Sequence, residues 1–154
     1  AVVPGGSTRQ ESVRNGVRAL SPDCMLAAIH DGARPLVTPE VFARCIEAAR
    51  SCGAATAAVP VKDTIKLADE AGRVLDTPDR SRLWAVQTPQ IFDRERYLRA
   101  AEEAERRGLS CTDDCQLFEA MGWEVQLVMG DYRNLKLTTP EDFLAAGAYL
   151  EGIK

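Results

Sequence analysis

Short apolar runs alternate along the chain with longer segments in which apolar residues recur at helical spacing. Three of the runs stop at turn residues, namely "CMLAAI" at 24–29, "AATAAVP" at 54–60 and "LWAVQTPQIF" at 83–92. A short apolar run that ends this way is typical of a buried strand, so each is predicted to be one. Three further strands are predicted, at "WEVQLVM" (123–129), "NLKL" (134–137) and "AVVP" (1–4).

The first helix is predicted to begin just after a pair of glycines. Either Ser7 with Gln10 or Thr8 with Glu11 fits a capping box there, and three apolar residues then share one face. These residues are Val13, Val17 and Leu20. A charged helix over 93–107, with Gly108 as its stop, and a short helix over 113–121 are also predicted.

Two Thr-Pro pairs predict further helix starts, because threonine favours the N-cap and proline the first helical position. Thr38 and Pro39 open a helix that should end near Gly53 and bury Phe42, Ile46 and Ala49. Thr139 and Pro140 open the last helix, which carries Phe143, Leu144 and Leu150.

The segment 62–82 interrupts this alternation of strands and helices. Its runs "DTIKLAD" and "GRVLDT" are polar and partly alternating, and "EAG" joins them, which predicts a projecting β-hairpin arm. The remaining pattern is typical of an α/β fold with a largely parallel sheet. With 154 residues and 45% hydrophobic content, we expect one domain over 1–154, with 62–82 as its arm.

Charge and composition exclude several classes of function. A net charge of −4 provides no basic field for nucleic acid, so no nucleic-acid partner is expected. No apolar stretch is long enough for a membrane span and the start lacks an export signal, so we expect a cytoplasmic protein without a membrane partner. Five cysteines without a C-x-x-C pair and one histidine do not form a zinc pattern.

Candidate chemistry is concentrated in "HDGARP" at 30–35, directly after the first predicted strand. In parallel sheets, ligands bind outside the carboxyl ends of the strands, so this loop lies in the expected place. Asp31 and Arg34 together could coordinate a divalent ion and bind a phosphate. On spacing alone, a salt bridge across the turn is the simpler interpretation, and His30 is interpreted as a satisfied residue at the strand end.

Lys136 interrupts the apolar pattern of "NLKL" and so lies in a strand that ought to be buried. A buried lysine needs a charged partner, which a bound phosphate would supply. An edge strand with one solvated face explains the same pattern, and both interpretations stay open on the sequence alone.

Six blocks, taken in order, resemble the 2-C-methyl-D-erythritol 4-phosphate cytidylyltransferases of the non-mevalonate isoprenoid pathway. The blocks are "GGSTRQESVRNGV", "HDGARP", "VPVKDTIK", "LWAVQTPQIF", "TDDCQLFEAMG" and "GDYRNLKLTTPEDF". Together they span nearly the whole chain, and six blocks in order are far more specific than any single motif. The resemblance implies a Rossmann-like nucleotidyltransferase that joins CTP and methylerythritol phosphate with Mg²⁺ present and releases pyrophosphate.

The resemblance also implies roles for individual residues. Asp31 is expected at the metal and the substrate, with Arg34 beside it, and Lys136 is expected to hold the reacting phosphates. Thr112 is expected to contact the sugar phosphate. The residues expected on the nucleotide side are Gly6, Ser7, Ser12 and Gly32.

The arm is expected to act on a second subunit. By the resemblance, Thr64 and Arg80 reach the sugar phosphate of a partner from 62–82, with Arg80 in a catalytic role. A long polar hairpin is poorly supported by the core of one domain, so a homodimer that buries the arm fits this pattern. Without the resemblance, a free solvated arm is an equal alternative.

One block of the family does not occur in this sequence. Members begin with a strand and a glycine-rich loop of the type L-A-A-G-x-G-x-R-M, followed by P-K, which cradles the phosphates. We therefore interpret the chain as the carboxyl-terminal part of the nucleotidyltransferase domain and expect it to be inactive alone, since loss of such charge-stabilising groups costs on the order of 10²-fold in rate or more.

Other functions are compatible with the same residues. Ribitol 5-phosphate cytidylyltransferases share the fold and several blocks, although the alanine before Arg34 looks more like the methylerythritol enzymes. A nucleotide-sugar pyrophosphorylase is a more distant alternative, against which the "TDDCQLFEAMG" block counts. From another class, the chain could be a non-catalytic module that binds a polyol phosphate or supports assembly.

Overall fold

The computed structural model describes residues 2–152, and its strands coincide with most of the predicted apolar runs. The strands are β1 (Leu26–Ile29), β2 (Ala54–Pro60), β3 (Leu67–Ala68), β4 (Val74–Asp76), β5 (Trp84–Asp93) and β6 (Gln126–Met129). The helices are α1 (Arg9–Arg18), α2 (Pro39–Cys52), α3 (Arg94–Arg106), α4 (Cys115–Ala120) and α5 (Pro140–Leu150), and residues Arg80–Arg82 form a 3₁₀ turn.

The main sheet has four strands in the order β1-β5-β2-β6. Strand β5 pairs antiparallel with both β1 and β2, whereas β2 pairs parallel with β6. Strands β1, β2 and β6 therefore run in one direction, and β5 runs against them between β1 and β2. The predicted α/β class with a mostly parallel sheet and a hairpin is confirmed, and the reversed strand is the one that returns from the arm.

Helices cover both faces of this sheet. Successive residues of a strand point to opposite faces, and Ile91 and Phe92 of β5 accordingly belong to different core clusters. Phe92 packs with Tyr97 of α3 and Phe118 of α4. Ile91 packs in the other cluster, against Val41, Cys45 and Ala49 of α2. The sheet is thus the middle of three layers, which leaves its strand ends free for a site.

The predicted helix starts are confirmed. Thr8 is the N-cap of α1 and its hydroxyl accepts a hydrogen bond from the backbone N of Glu11 at 3.1 Å. Glu11 does not complete a capping box with Thr8, because its carboxylate accepts instead from Ser7 N and Oγ. Helix α2 begins at Pro39 and ends against Gly53, which has a φ of 93°.

The buried face of α2 differs from the predicted one. Val41, Cys45 and Ala49 are buried, whereas Phe42 and Ile46 are only partly buried at the edge of the core. Ala49 is thus buried as predicted, but Val41 and Cys45 meet the sheet in place of Phe42 and Ile46, which follow them by one position.

Two predicted strands do not form. Residues 134–137 are irregular, and this segment is held against the loop after β1 by a single backbone hydrogen bond, from Leu137 N to Ala33 O at 2.7 Å. Lys136 is therefore not in a buried strand, and 48% of its side chain is exposed. Residues 2–4 are also irregular and exposed, because no neighbouring strand pairs with them within 2–152; Ala1 lies outside the described residues.

The last helix leaves most of its apolar residues uncovered. Phe143, Leu144 and Leu150 of α5 are largely exposed, and Ala146 is its buried residue. Within residues 2–152, none of the helices combines the length and the apolarity that a membrane crossing needs.

The arm forms as a small hairpin separate from the main sheet. Strands β3 and β4 pair antiparallel as a two-stranded sheet, and every residue of both strands is exposed. Three of these exposed residues are large and apolar, namely Leu67, Val74 and Leu75, with 56%, 59% and 64% exposure.

Candidate functional site

A polar cavity of about 380 Å³ opens where β1 and β5 meet the loops that follow α3 and β6. Its charged lining residues are Arg9, Asp31, Arg34, Asp113 and Lys136, and Thr112 lies among them. Four of the predicted site residues, Asp31, Arg34, Thr112 and Lys136, therefore lie in one cavity although they are spread over about two thirds of the chain.

Asp31 is the centre of the charge pairs in this cavity. Its Oδ2 lies 3.2 Å from Lys136 Nζ and 3.5 Å from Arg34 Nε. Burial by itself would raise the pKa of Asp31, but the hydrogen bond and charge of Lys136, with smaller contributions from Arg34 and Arg9, lower that pKa below its ordinary value. Asp31 is thus a carboxylate at neutral pH, and the salt bridge expected between Asp31 and Arg34 is present.

The loop carrying Asp31 is fixed by hydrogen bonds to β5. The backbone N of Asp31 donates to Thr88 Oγ1 at 3.0 Å, and the same Oγ1 lies 2.9 Å from His30 Nδ1. His30 Nε2 lies 3.2 Å from Arg34 O. The ring of His30 also packs against Phe42, with 5.3 Å between centroids. His30 is therefore a satisfied supporting residue, as interpreted from the sequence.

The segment carrying Lys136 is attached to the sheet through Asn134. The side chain of Asn134 is fully buried, and its Nδ2 donates to Gln87 Oε1 at 3.1 Å and to Thr88 O at 2.8 Å. Asn134 O in turn accepts from Arg34 Nη1 at 2.7 Å. These contacts place Lys136 opposite Asp31, although residues 134–137 do not form the predicted strand.

The turn carrying Thr112 is held by a buried glutamine. Gln90 Nε2 donates to Asp113 Oδ2 at 3.1 Å, and Gln90 Oε1 accepts from the backbone N of Asp114 at 3.1 Å. Thr112 Oγ1 accepts from Gln116 Nε2 at 2.9 Å. Gln90 has no predicted role from the sequence, although a glutamine in the apolar strand "QTPQIF" is a signal that could have identified it.

The residues expected on the nucleotide side lie apart from this cavity. Gly6 lies in the turn before α1, and its N donates to Oγ of Ser12 in the first part of the helix at 2.9 Å. Ser7 lines a second cavity, of about 420 Å³, between α1 and the end of α3. Gly32 follows Asp31, and a Cβ at its position would meet no atom within 4 Å. None of the four lines the polar cavity within residues 2–152.

Thr64 and Arg80 are also outside the polar cavity, on the exposed arm. Arg80 Nη1 donates to Lys62 O at 2.8 Å, which braces the base of the arm. Tyr132 braces it from the other side, since its hydroxyl donates to Pro60 O at 2.8 Å and its ring lies 3.7 Å from Lys62 Nζ.

The arrangement is suited to binding anions with several charges. Three cations and two carboxylates line one opening, and phosphates are the anions that such arginine and lysine groups bind best. Among residues 2–152, no group of three or more His, Cys, Asp or Glu side chains could hold a metal ion. Asp31 could still supply one carboxylate ligand, because Mg²⁺ is commonly held by one or two carboxylates together with substrate phosphates.

Comparison with known proteins gives one consistent result. The family model for IspD, 2-C-methyl-D-erythritol 4-phosphate cytidylyltransferase, matches residues 1–152. A curated relative of that name from Caldanaerobacter subterraneus subsp. tengcongensis is 53% identical over 149 residues, which is 97% of this chain and 66% of the relative. Another, from Desulforamulus reducens, is 53% identical over 98% of this chain and 64% of its own length. The chain thus spans slightly less than two thirds of each.

Solved structures agree with the sequence relatives. A crystal structure of 4-diphosphocytidyl-2C-methyl-D-erythritol synthase from Anaerococcus prevotii matches with a TM-score of 0.89 and 39% identity, covering 96% of this chain and 68% of that one. The 2-C-methyl-D-erythritol 4-phosphate cytidylyltransferase of Thermus thermophilus matches with a TM-score of 0.86 and 39% identity, covering 96% and 71%.

Proposed function

The chain belongs to the 2-C-methyl-D-erythritol 4-phosphate cytidylyltransferase family, and from this premise we propose that its protein joins CTP and 2-C-methyl-D-erythritol 4-phosphate. The products are 4-diphosphocytidyl-2-C-methyl-D-erythritol and pyrophosphate. The observation that supports this most directly is the polar cavity, in which Asp31, Arg34, Thr112 and Lys136 come together from three separate loops.

The reaction is a displacement at phosphorus. A phosphate oxygen of methylerythritol phosphate attacks the α-phosphorus of CTP, a new P–O bond forms, and the bond to the bridging oxygen of the β-phosphate breaks. Pyrophosphate leaves with the electrons of that bond. Because such a reaction needs little covalent chemistry from the protein, positioning and charge stabilisation carry most of the catalysis.

Lys136 and Arg34 are suited to hold the reacting phosphates. Both lie beside Asp31, whose carboxylate limits how far each cation can move when the cavity is empty of substrate. Arg34 is also fixed by its donation to Asn134 O, so its guanidinium is ordered before substrate binds. Thr112 lines the same opening and can donate its hydroxyl proton to a phosphate oxygen.

We assign Mg²⁺ to the carboxylate of Asp31. The lowered pKa of Asp31 keeps it ionised, and carboxylate oxygen is the ligand type that Mg²⁺ prefers. When bound, the ion would neutralise negative charge on the phosphates.

The arm supports a proposed homodimer. Thr64 and Arg80 lie away from the polar cavity of their own chain, and Leu67, Val74 and Leu75 of the arm are exposed. If a second subunit covers these apolar side chains, Thr64 and Arg80 of the first subunit reach the polar cavity of the second. There Arg80 can stabilise charge on the phosphates. We place the protein in the cytoplasm.

The proposal is tested by turnover of the protein as its gene encodes it. With CTP, Mg²⁺ and methylerythritol phosphate, we expect pyrophosphate release that falls by about 10²-fold or more in Lys136→Ala. Arg133→Ala is the matched control, because Arg133 pairs with Asp131 on the same loop but outside the cavity.

Two results would contradict the proposal. Faster turnover of ribitol 5-phosphate would make the protein the related ribitol enzyme. Calorimetric binding of a polyol phosphate without any turnover of CTP would make it a binding module.

A further inference from the structure

A third cation, Arg9, lines the polar cavity besides Arg34 and Lys136. It is the first residue of α1, and 43% of its side chain is exposed. Its Nη2 donates to Asp114 Oδ2 at 2.6 Å, across 105 residues of sequence. One end of the guanidinium is therefore anchored while the side chain stays accessible at the cavity.

The anchor itself is rigid. The side chain of Asp114 is 1% exposed, and its other oxygen accepts a hydrogen bond from Tyr97 Oη at 2.8 Å. The backbone N of Asp114 donates to Gln90, which also holds Asp113. Because the carboxylate cannot move, the guanidinium that it binds is held in one place before any ligand arrives.

Most of the hydrogen-bonding capacity of Arg9 remains unused. A guanidinium has five N–H donors, and within residues 2–152 Asp114 is the sole hydrogen-bond partner of this side chain. Burial would lower the pKa of Arg9, but the hydrogen bond and charge of Asp114, with a smaller contribution from Asp31, raise it. Arg9 thus presents a permanent charge and free donors, and it interacts electrostatically with the carboxylate at the centre of the cavity.

A purely structural role would explain only part of this geometry. A buried carboxylate needs a cation, and Arg9 supplies one to Asp114. That role would be served equally well by an arginine whose guanidinium is enclosed, whereas Arg9 opens onto a cavity that already holds two cations.

We propose that Arg9 is a substrate-binding residue that donates hydrogen bonds to a phosphate group in the polar cavity, and that Asp114 is the positioning residue that holds it there. The inference rests on the proposed function for the identity of the phosphate, which belongs either to the polyol phosphate or to CTP. It does not rest on that function for the binding of phosphate itself.

The kinetic test compares Arg9→Gln with Arg18→Gln in the protein as encoded. Arg18 lies on the same helix and pairs with Glu102 at the surface, so its substitution removes the same charge away from the cavity. We expect Arg9→Gln to raise KM for one of the two phosphate substrates by about 10- to 100-fold, with a smaller change in kcat. The substrate whose KM rises identifies the phosphate. Unchanged KM values for both substrates would overturn the proposal.

Arg9→Gln leaves the buried carboxylate of Asp114 without its cation and could therefore destabilise the fold. A second variant separates this effect from the loss of phosphate binding. In the double substitution Arg9→Met with Asp114→Asn, no charge is left unpaired and Tyr97 can still donate to the new amide oxygen. We expect this variant to fold but to bind inorganic phosphate about tenfold or more weakly than the unmodified protein by calorimetry. Equal phosphate affinity would overturn the inference.

Failure of the two proposals can be told apart. A protein that binds phosphate through Arg9 but never turns over CTP would remove the proposed function and leave the Arg9 inference intact. If the Arg9→Gln variant turns over both substrates with normal KM values, the proposed function stands and the Arg9 inference fails.

Discussion

Asp31 sets the balance of charge in the polar cavity, because it faces both Lys136 and Arg34 through one oxygen. The depressed pKa of Asp31 means that its pairing contributes stability above its unfolded pKa. That contribution is lost as the pH falls through the lower, folded pKa. The cations are thereby held ready for phosphate at neutral pH, and they are released from Asp31 only in acid.

Replacing the nearer cation should reverse the shift. In Lys136→Met the hydrogen bond and charge that lower the pKa of Asp31 most are gone while its burial remains, so we expect the pKa of Asp31 to rise. An NMR titration of the Asp31 side-chain carboxyl in buffer without phosphate measures it. Arg133→Met, which removes a cation paired with Asp131, should leave Asp31 unchanged. The assignment of the pair fails if Asp31 titrates alike in all three proteins.

At the scale of elements, the loop after β6 depends on one buried side chain for its position. Asn134 connects this loop to Gln87 and Thr88 of β5. Gly130, at the start of the loop, lies so close to the Gln87 side chain and the β2 backbone that a larger residue would not fit. A Cβ on Gly130 would lie 2.5 Å from Gln87 Oε1 and 3.3 Å from Ala58 O. The loop is therefore a fixed part of the sheet edge, although it forms no strand.

Truncating this side chain should destabilise the fold as well as the site. Asn134→Ala leaves the buried acceptors Gln87 Oε1 and Thr88 O without their donor, so we expect the free energy of unfolding to fall by about 1–3 kcal/mol. Urea denaturation measures this. The neighbouring substitution Arg133→Ala breaks an exposed pair and should lower the free energy of unfolding much less. Equal losses for the two variants would show that Asn134 does not hold the loop.

At the scale of the whole molecule, the strands of the arm form a sheet of their own apart from the main sheet, so contacts within one chain do not account for the stability of the arm. Every residue of β3 and β4 is exposed, and an isolated two-stranded hairpin is marginally stable in water. Arg80 and Tyr132 brace its base, which sets the direction in which the arm leaves the body. A second copy that receives the arm would account for both its exposure and its bracing.

Subunit complementation tests this arrangement directly. Lys136→Ala and Arg80→Ala are co-expressed with different tags, and the mixed dimer is purified through both tags. If Arg80 acts in the partner's cavity, one of the two cavities in the mixed dimer is intact, and we expect roughly half the activity of the unmodified dimer. The two homodimers of the variants should be nearly inactive. An inactive mixed dimer would mean that Arg80 acts within its own subunit.

Local patterns in the sequence were sufficient for most elements. The apolar runs of β1, β2 and β5, the start of α2 at Pro39 and its end at Gly53 are predicted from the sequence, because strand burial and helix capping depend on residues within a few positions of each other. For α1 the sequence left Ser7 and Thr8 as alternative N-caps, and the structure has Thr8. The prediction failed at 134–137, where a short apolar alternation looks like a strand but has no sheet edge to pair with.

The family and the chemistry of the loop at Asp31 follow from six ordered sequence blocks, which do not depend on how the chain folds. Which side chains share the polar cavity depends instead on how the elements pack. Arg9 meets Asp114 across 105 residues and Arg34 meets Asn134 across 100, and such pairs form only when the sheet and its helices bring distant loops together. Arg9 looks like an ordinary surface arginine in the sequence, because packing brings it to its partner Asp114.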